Sequence, residues 1–186
     1  MVGYSIDDDS LRDFPDNIEK TWSHVRKLEA LGQEGDTERI SWLRQLGELV
    51  SAEKLAWDVM ERITGTRDLS KILTKLDEAS CIPLIRLGHV MFWQKRFDLA
   101  ESIFQAVIRF LGAIPHPSQQ IRSEFSLAHQ LLGKNLYEQN DYQSAFAEFE
   151  LALELRMESP MIDDQLAASR QALNATQRRI KANEES

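Results

Sequence analysis

The strongest constraint on this chain is a self-similarity at an offset of 45 residues. The segment LGHVMFWQKRFDLAESIFQAVIRFLGAIP, Leu87 to Pro115, returns as LGKNLYEQNDYQSAFAEFELALELRMESP, Leu132 to Pro160. Leu87 matches Leu132, Gly88 matches Gly133, and Phe92 matches Tyr137. Gln94 recurs as Gln139, Phe97 as Tyr142, Ala100 as Ala145, Phe104 as Phe149, Ile108 as Leu153 and Pro115 as Pro160. A chain that spaces the same residue types identically twice is using one structural unit twice.

Apolar residues recur at spacings of three and four, the helical period, and nine helices and no strand are expected. Asp16 or Asn17 caps the first, which carries Ile18, Trp22, Val25, Leu28 and Leu31 and is broken by GQEGD. A second starts near Thr37 with Ile40, Leu43, Leu46 and Leu49/Val50. A break near Ser51 is expected, because an unbroken helix over 37–63 would be long for a globular chain. TGTRD at 64–68 stops the third helix, and Leu69, Ile72, Leu73 and Leu76 give a short fourth. Pro83 suits the first turn of the fifth, where its missing N–H removes no bond. That helix reaches about Gln94, and the sixth runs from Phe97 to about Leu111. After the loop GAIPHPSQQ, Ser118 caps a long seventh helix to about Gln139, and the eighth spans 142–158. Pro160 restarts the chain into a final helix with Ile162, Leu166, Leu173 and Ile180 on a sparse apolar face.

The pattern LGxxxF/Y…xF/YxxAxxxF resembles the tetratricopeptide repeat, a helix–turn–helix unit. The resemblance is clear over about 84–160 and architectural over 17–80. It implies an all-α, right-handed solenoid of helical hairpins, pairing 17–50, 51–80, 83–111 and 119–158, with a capping helix over about 161–183. It also implies that Gly88 and Ala100, and again Gly133 and Ala145, mark close helix crossings. Small residues there allow the lower end of the 8–10 Å range of interaxial distance. Two features depart from the family: the 45-residue period exceeds the usual 34, and His129 stands where a large apolar residue is usual.

Residues 1–20 hold six acidic residues (Asp7, Asp8, Asp9, Asp13, Asp16, Glu19) against Arg12 and Lys20. Residues 1–15 are therefore expected to be an irregular acidic arm, with a single domain over 16–186. The net charge of -8 opposes general nucleic-acid binding, which needs a basic surface to neutralise phosphates. The short run Arg178, Arg179, Lys181 suits a solvated helix face. No apolar run approaches the ~20 residues that span a bilayer, and the opening MVGYSIDDDS lacks a signal-like apolar core. A cytoplasmic protein with no membrane contact is expected.

Chemistry is sparse. His24, His89, His116 and His129 show no metal-ligand spacing, and Cys81, the single cysteine, has no evident base partner. GTRDLSK at 65–71 lacks the glycine spacing that cradles phosphate. No enzyme, metal or cofactor is expected. In the resembled family, the first helix of each pair lines a concave groove. Carried onto this chain, the resemblance implies a partner-binding groove holding Arg86, His89 and Trp93 from one unit and Gln130, Lys134 and Tyr137 from the next. Their mix of cations and aromatic rings suits recognition of a protein segment or peptide. Two alternatives remain: self-association, as a homodimer, through an unsealed solenoid end or the last helix, and a peptide-sensing regulatory module of a partner enzyme.

Overall fold

The computed structural model describes residues 2–158 and 163–185. Its described elements are a two-stranded hairpin, β1 (Tyr4–Ile6) and β2 (Asp13–Pro15), and nine helices. The helices are α1 (Ile18–Ala30), α2 (Gln33–Gln45), α3 (Leu49–Thr64), α4 (Leu69–Thr74) and α5 (Glu78–Trp93). They continue as α6 (Phe97–Gly112), α7 (Gln119–Glu138), α8 (Tyr142–Met157) and α9 (Asp163–Glu184). The fold class is all-α. The chain divides into two compact units in place of the single expected domain. The first comprises Met1–Asp7 and Arg12–Ile103, and the second Asp8–Leu11 and Phe104–Ser186.

One joint is built three times. At the end of α2, Gly47 N–H donates to Arg44 O (3.0 Å) and Glu48 N–H to Leu43 O (2.9 Å). At the end of α5, Lys95 N–H donates to Phe92 O and Arg96 N–H to Met91 O, both at 2.9 Å. At the end of α7, Asn140 N–H donates to Tyr137 O and Asp141 N–H to Leu136 O, both at 3.0 Å. This nested pair of bonds is the Schellman ending, and it needs one residue in the left-handed region. Gly47 (φ 81°), Lys95 (φ 61°) and Asn140 (φ 64°) supply it. The next helix starts two residues later, and its fourth residue is Ala52, Ala100 or Ala145, each fully buried.

The joint at Leu46–Glu48 corrects the expected pairing. The break lies at Gly47, not near Ser51, because a bare Cα enters the left-handed region without the Cβ clash that resists it elsewhere. The joint therefore links α2 to α3, which pack together; α1 packs on α2 as the pair 17–50 anticipates, while the expected pair 51–80 is not formed. α4 has six residues, too few for the second arm of a hairpin, and α3 packs on α2 and α5.

Other expected boundaries also shift. Gly35 lies inside α2 and not in a turn: a Cβ there would meet the Leu28 carbonyl oxygen at 2.2 Å, so the glycine lets α2 press on the backbone of α1. The buried stripe of α1 is Thr21, Val25 and Leu28, leaving Ile18 and Leu31 exposed. α5 begins at Glu78, five residues before Pro83, because Asp77 and Ser80 form a reciprocal cap: Ser80 N–H to Asp77 Oδ1 (2.9 Å) and Asp77 N–H to Ser80 Oγ (3.1 Å).

In the second unit α8 packs on both α7 and α9. Gly133 faces the Phe149 ring at a distance that leaves no room for a side chain. The buried stripe of α9 is made of small residues, Ser169, Ala172, Ala175 and Thr176, with Leu166, Leu173 and Ile180 only half-buried. Pro160, Met161 and Ile162, where the last repeat ends and the capping helix was expected to start, lie outside the described residues.

The expected irregular arm is instead paired. Tyr4 lies opposite Pro15, Ser5 opposite Phe14 and Ile6 opposite Asp13 in an antiparallel ladder. Asp7 N–H to Arg12 O (2.9 Å) and Asp16 N–H to Gly3 O (3.1 Å) close its two ends. The acidic count concealed this, since the ordering comes from what Leu11, Asp13 and Phe14 touch.

Candidate functional site

In the first unit, β2 lies on the face shared by α2 and α5, and Asp13 is its focus. Arg44, at the C-terminal end of α2, forks onto both carboxylate oxygens of Asp13 (Nη1 to Oδ1 3.2 Å, Nη2 to Oδ2 2.5 Å). Gln45 Nε2 adds a bond to Oδ2 at 2.9 Å, and His89 Nε2, on α5, stands 3.7 Å from Oδ1. Arg44 and Asp13 are 2 % and 9 % exposed by side chain. At that burial an ion pair needs extra hydrogen bonds to offset desolvation, and Gln45 provides one.

Beside this pair is an aromatic wall. The Trp93 ring meets Phe14 edge-on, centroids 5.5 Å apart at 61°. The Arg44 guanidinium carbon lies 4.7 Å from the Trp93 centroid, and that of Arg12 lies 5.2 Å from Trp93 and 5.4 Å from Phe92. These distances are within cation–π range. Trp93 Nε1 is enclosed and has no hydrogen-bond partner among the described residues.

Arg86 completes the cluster. It is half-buried as a residue, yet its Nε is enclosed and without a hydrogen-bond partner among the described residues. Burial, and then the neighbouring Arg44 cation, push its guanidinium below the ordinary value, against opposing pulls from Asp13, Tyr4 and Glu38. A guanidinium keeps its proton in a protein, so the downward pressure measures a positive charge that its surroundings under-compensate.

Arg86, His89 and Trp93, expected on an open groove, are thus gathered on one face that already carries a segment of the chain. Sequence reasoning missed Arg44 and Gln45. They follow from the alanine register: Ala52, Ala100 and Ala145 stand at offsets of 48 and 45, which aligns Arg44 with Phe92 and Tyr137.

In the second unit, Gln130, Lys134 and Tyr137 are 4 %, 6 % and 5 % exposed, so they too are not open groove residues. Gln130 Oε1 accepts from Arg156 Nη1 (3.0 Å) and Ser169 Oγ (2.7 Å), fastening α7 to α8 and α9. The Tyr137 ring packs edge-on to Tyr142 at 5.2 Å, and its hydroxyl accepts from Arg179 Nε at 3.3 Å. Tyr137 belongs to a buried cluster with Leu11, Ala145, Phe149, Ala172 and Ala175. Leu11 is fully buried there, while Asp8 Oδ1 accepts from Gln171 (2.6 Å) and Asp9 lies 3.8 Å from Arg179.

His129 Nδ1 bonds Glu148 at 2.6 Å against the Phe125 ring, and Cys81 is buried with its thiol 3.3 Å from Asp77 O. Near α1, a cavity of about 410 Å³ is lined by Val2, Lys20, Ser23, His24, Lys27, Glu38 and Trp42. His24 and Trp42 both bond Glu38 Oε1, at 2.8 and 3.0 Å. Among the described residues no three His, Cys, Asp or Glu side chains are grouped to hold a metal ion. No described helix is long and apolar enough to cross a membrane.

The fold and its recurrent joint define an all-α protein of linked helices. No family model, curated protein or solved structure matches the chain.

Proposed function

We propose that this chain is a non-enzymatic protein-interaction module, similar in kind to tetratricopeptide proteins, that captures a protein segment on the face of α2 and α5. The supporting observation is the face itself: Arg44, Gln45, His89 and Trp93 converge on one carboxylate and one aromatic ring presented by an extended strand. Side chains arranged this way recognise a peptide; they have no nucleophile–base geometry to act on one. The threefold joint supports the repeat character, since each unit sets a first helix in the same way before its partner begins. A right-handed solenoid path, cytoplasmic residence and the absence of cofactors belong to this proposal.

A random-peptide display screen against the immobilised full chain, and against the chain with Phe14→Ala, tests it. The expected result is enrichment of a consensus whose binding falls with Arg86→Gln and is unchanged by Lys75→Ala, an exposed lysine at the end of α4. No enrichment on either chain, or binders indifferent to Arg86, would overturn the proposal.

A further inference from the structure

We infer that Arg12–Phe14, held by the hairpin, is an intramolecular ligand of the α2–α5 face, and that the face is built for an acidic, aromatic, extended segment of a partner protein that displaces it. The inference rests on the interaction-module reading and names its ligand chemistry.

Three observations carry it. First, the two strands of the hairpin are short. Each strand has three residues and pairs only with the other, and an isolated two-stranded hairpin is marginal in water. Tyr4 and Phe14 are 48 % and 43 % exposed. Such an element belongs to the low-stability end of a structure and opens before the helices do. Second, the contacts are those of recognition. A guanidinium fork, a side-chain amide and an imidazole surround the Asp13 carboxylate, while Trp93 meets Phe14.

Third, the occupant leaves the face electrically incomplete. Asp13 engages Arg44, while Arg86 Nε has no hydrogen-bond partner among the described residues and the neighbouring Arg44 repels it. A competing segment with a second carboxylate would give that cation a hydrogen-bonding partner, where Asp13 supplies only an electrostatic pull. Displacement then follows from population arithmetic: the hairpin lowers the apparent affinity of any competitor by the fraction of time the face is open, and a better-matched segment overcomes that factor. Residues 8–11 belong to the second unit, whose core takes Leu11, so deletion of the arm would damage that core. Point substitutions on the arm are the cleaner perturbation.

The test is fluorescence anisotropy with a labelled synthetic peptide, Val2–Asp16, added to the full chain. The intact chain is expected to bind it weakly. Phe14→Ala, which removes the exposed ring contact with Trp93, is expected to tighten binding about 3- to 10-fold. A peptide carrying Asp13→Asn should bind neither chain. If Phe14→Ala lowers helicity, Phe14→Leu carries the same comparison. Equal affinity of both chains for the peptide, or undiminished binding by the Asp13→Asn peptide, would overturn the inference. Display peptides that need Arg86 but lack an acidic–aromatic pair would retire this inference alone; no Arg86-dependent binder of any kind would retire the interaction-module reading with it.

Discussion

Gly133 is the position where the repeat's packing can be tested with one methyl group. A Cβ there would lie 2.6 Å from Phe149 Cε1, 2.7 Å from Cδ1 and 3.0 Å from Cζ. Restoring ordinary carbon contact of about 3.5 Å needs the ring to retreat by roughly 0.9 Å. Phe149 is fully buried among Leu11, Ala145, Ala172 and Ala175, so the ring has no free direction. Overpacking of this kind costs about 1–3 kcal/mol, against about 1 kcal/mol gained by replacing a helical glycine with alanine. Gly133→Ala should therefore destabilise by about 1 kcal/mol, lowering the melting temperature by roughly 2–4 °C for a chain of this size. Circular-dichroism melts decide it, and a second background sharpens the test. With Phe149→Leu the obstruction is gone, so the same substitution should become neutral or stabilising. A variant as stable as the parent in the Phe149 background would refute the close crossing of α7 and α8.

The repeated joint makes its own prediction: Lys95→Gly and Asn140→Gly should each stabilise by about 0.5 kcal/mol, and Gly47→Ala should destabilise by about 1 kcal/mol, in urea titrations, because an L side chain in the left-handed region costs about 1–2 kcal/mol. Asp13→Ala removes the fork from Arg44, but a hairpin that opens locally lets water reach that cation, so the cost should stay below the ~3–5 kcal/mol of a pair broken in a rigid core, while Asp9→Ala, at a 93 % exposed carboxylate 3.8 Å from Arg179, should change stability by less than about 0.5 kcal/mol in the same assay. The Glu38 carboxyl is held below its ordinary value of 4.5 by hydrogen bonds from His24 first and Trp42 second. A carboxyl lowered on folding stabilises above its unfolded value and loses that contribution as pH falls through the folded one. Between pH 7 and pH 3, Glu38→Gln should therefore lose less melting temperature than the parent chain.

The helical architecture was largely legible because it is written in local terms. Spacings of three and four mark most of the nine described helices, helix length divides 37–63 into two, and the Ser118 cap is observed, its Oγ accepting from Ile121 N–H at 3.2 Å. What the sequence concealed depended on contacts distant along the chain. Gly35 looks like a turn residue until the Leu28 carbonyl is placed beside it. Asp13 reads as one more solvated acid, yet its partners lie 31 and 32 residues away. The expected groove residues come from positions of the resembled family, and each of His89, Trp93, Gln130, Lys134 and Tyr137 is buried. The alanine register would have found the first joint: comparing Ala52 with Ala100, and not LG with LG, moves the break to Gly47.

Native-state hydrogen exchange of the intact chain asks whether the hairpin leaves its face while the helices remain folded. The amides of Asp7 and Asp16, bonded to Arg12 and Gly3, report the hairpin, and those of Leu87 and Val90 report α5. Asp7 and Asp16 should exchange by an opening insensitive to low denaturant, while Leu87 and Val90 should exchange only through an opening that grows with it. If all four amides share one denaturant-dependent opening, the hairpin is an integral part of the fold and not a ligand of it.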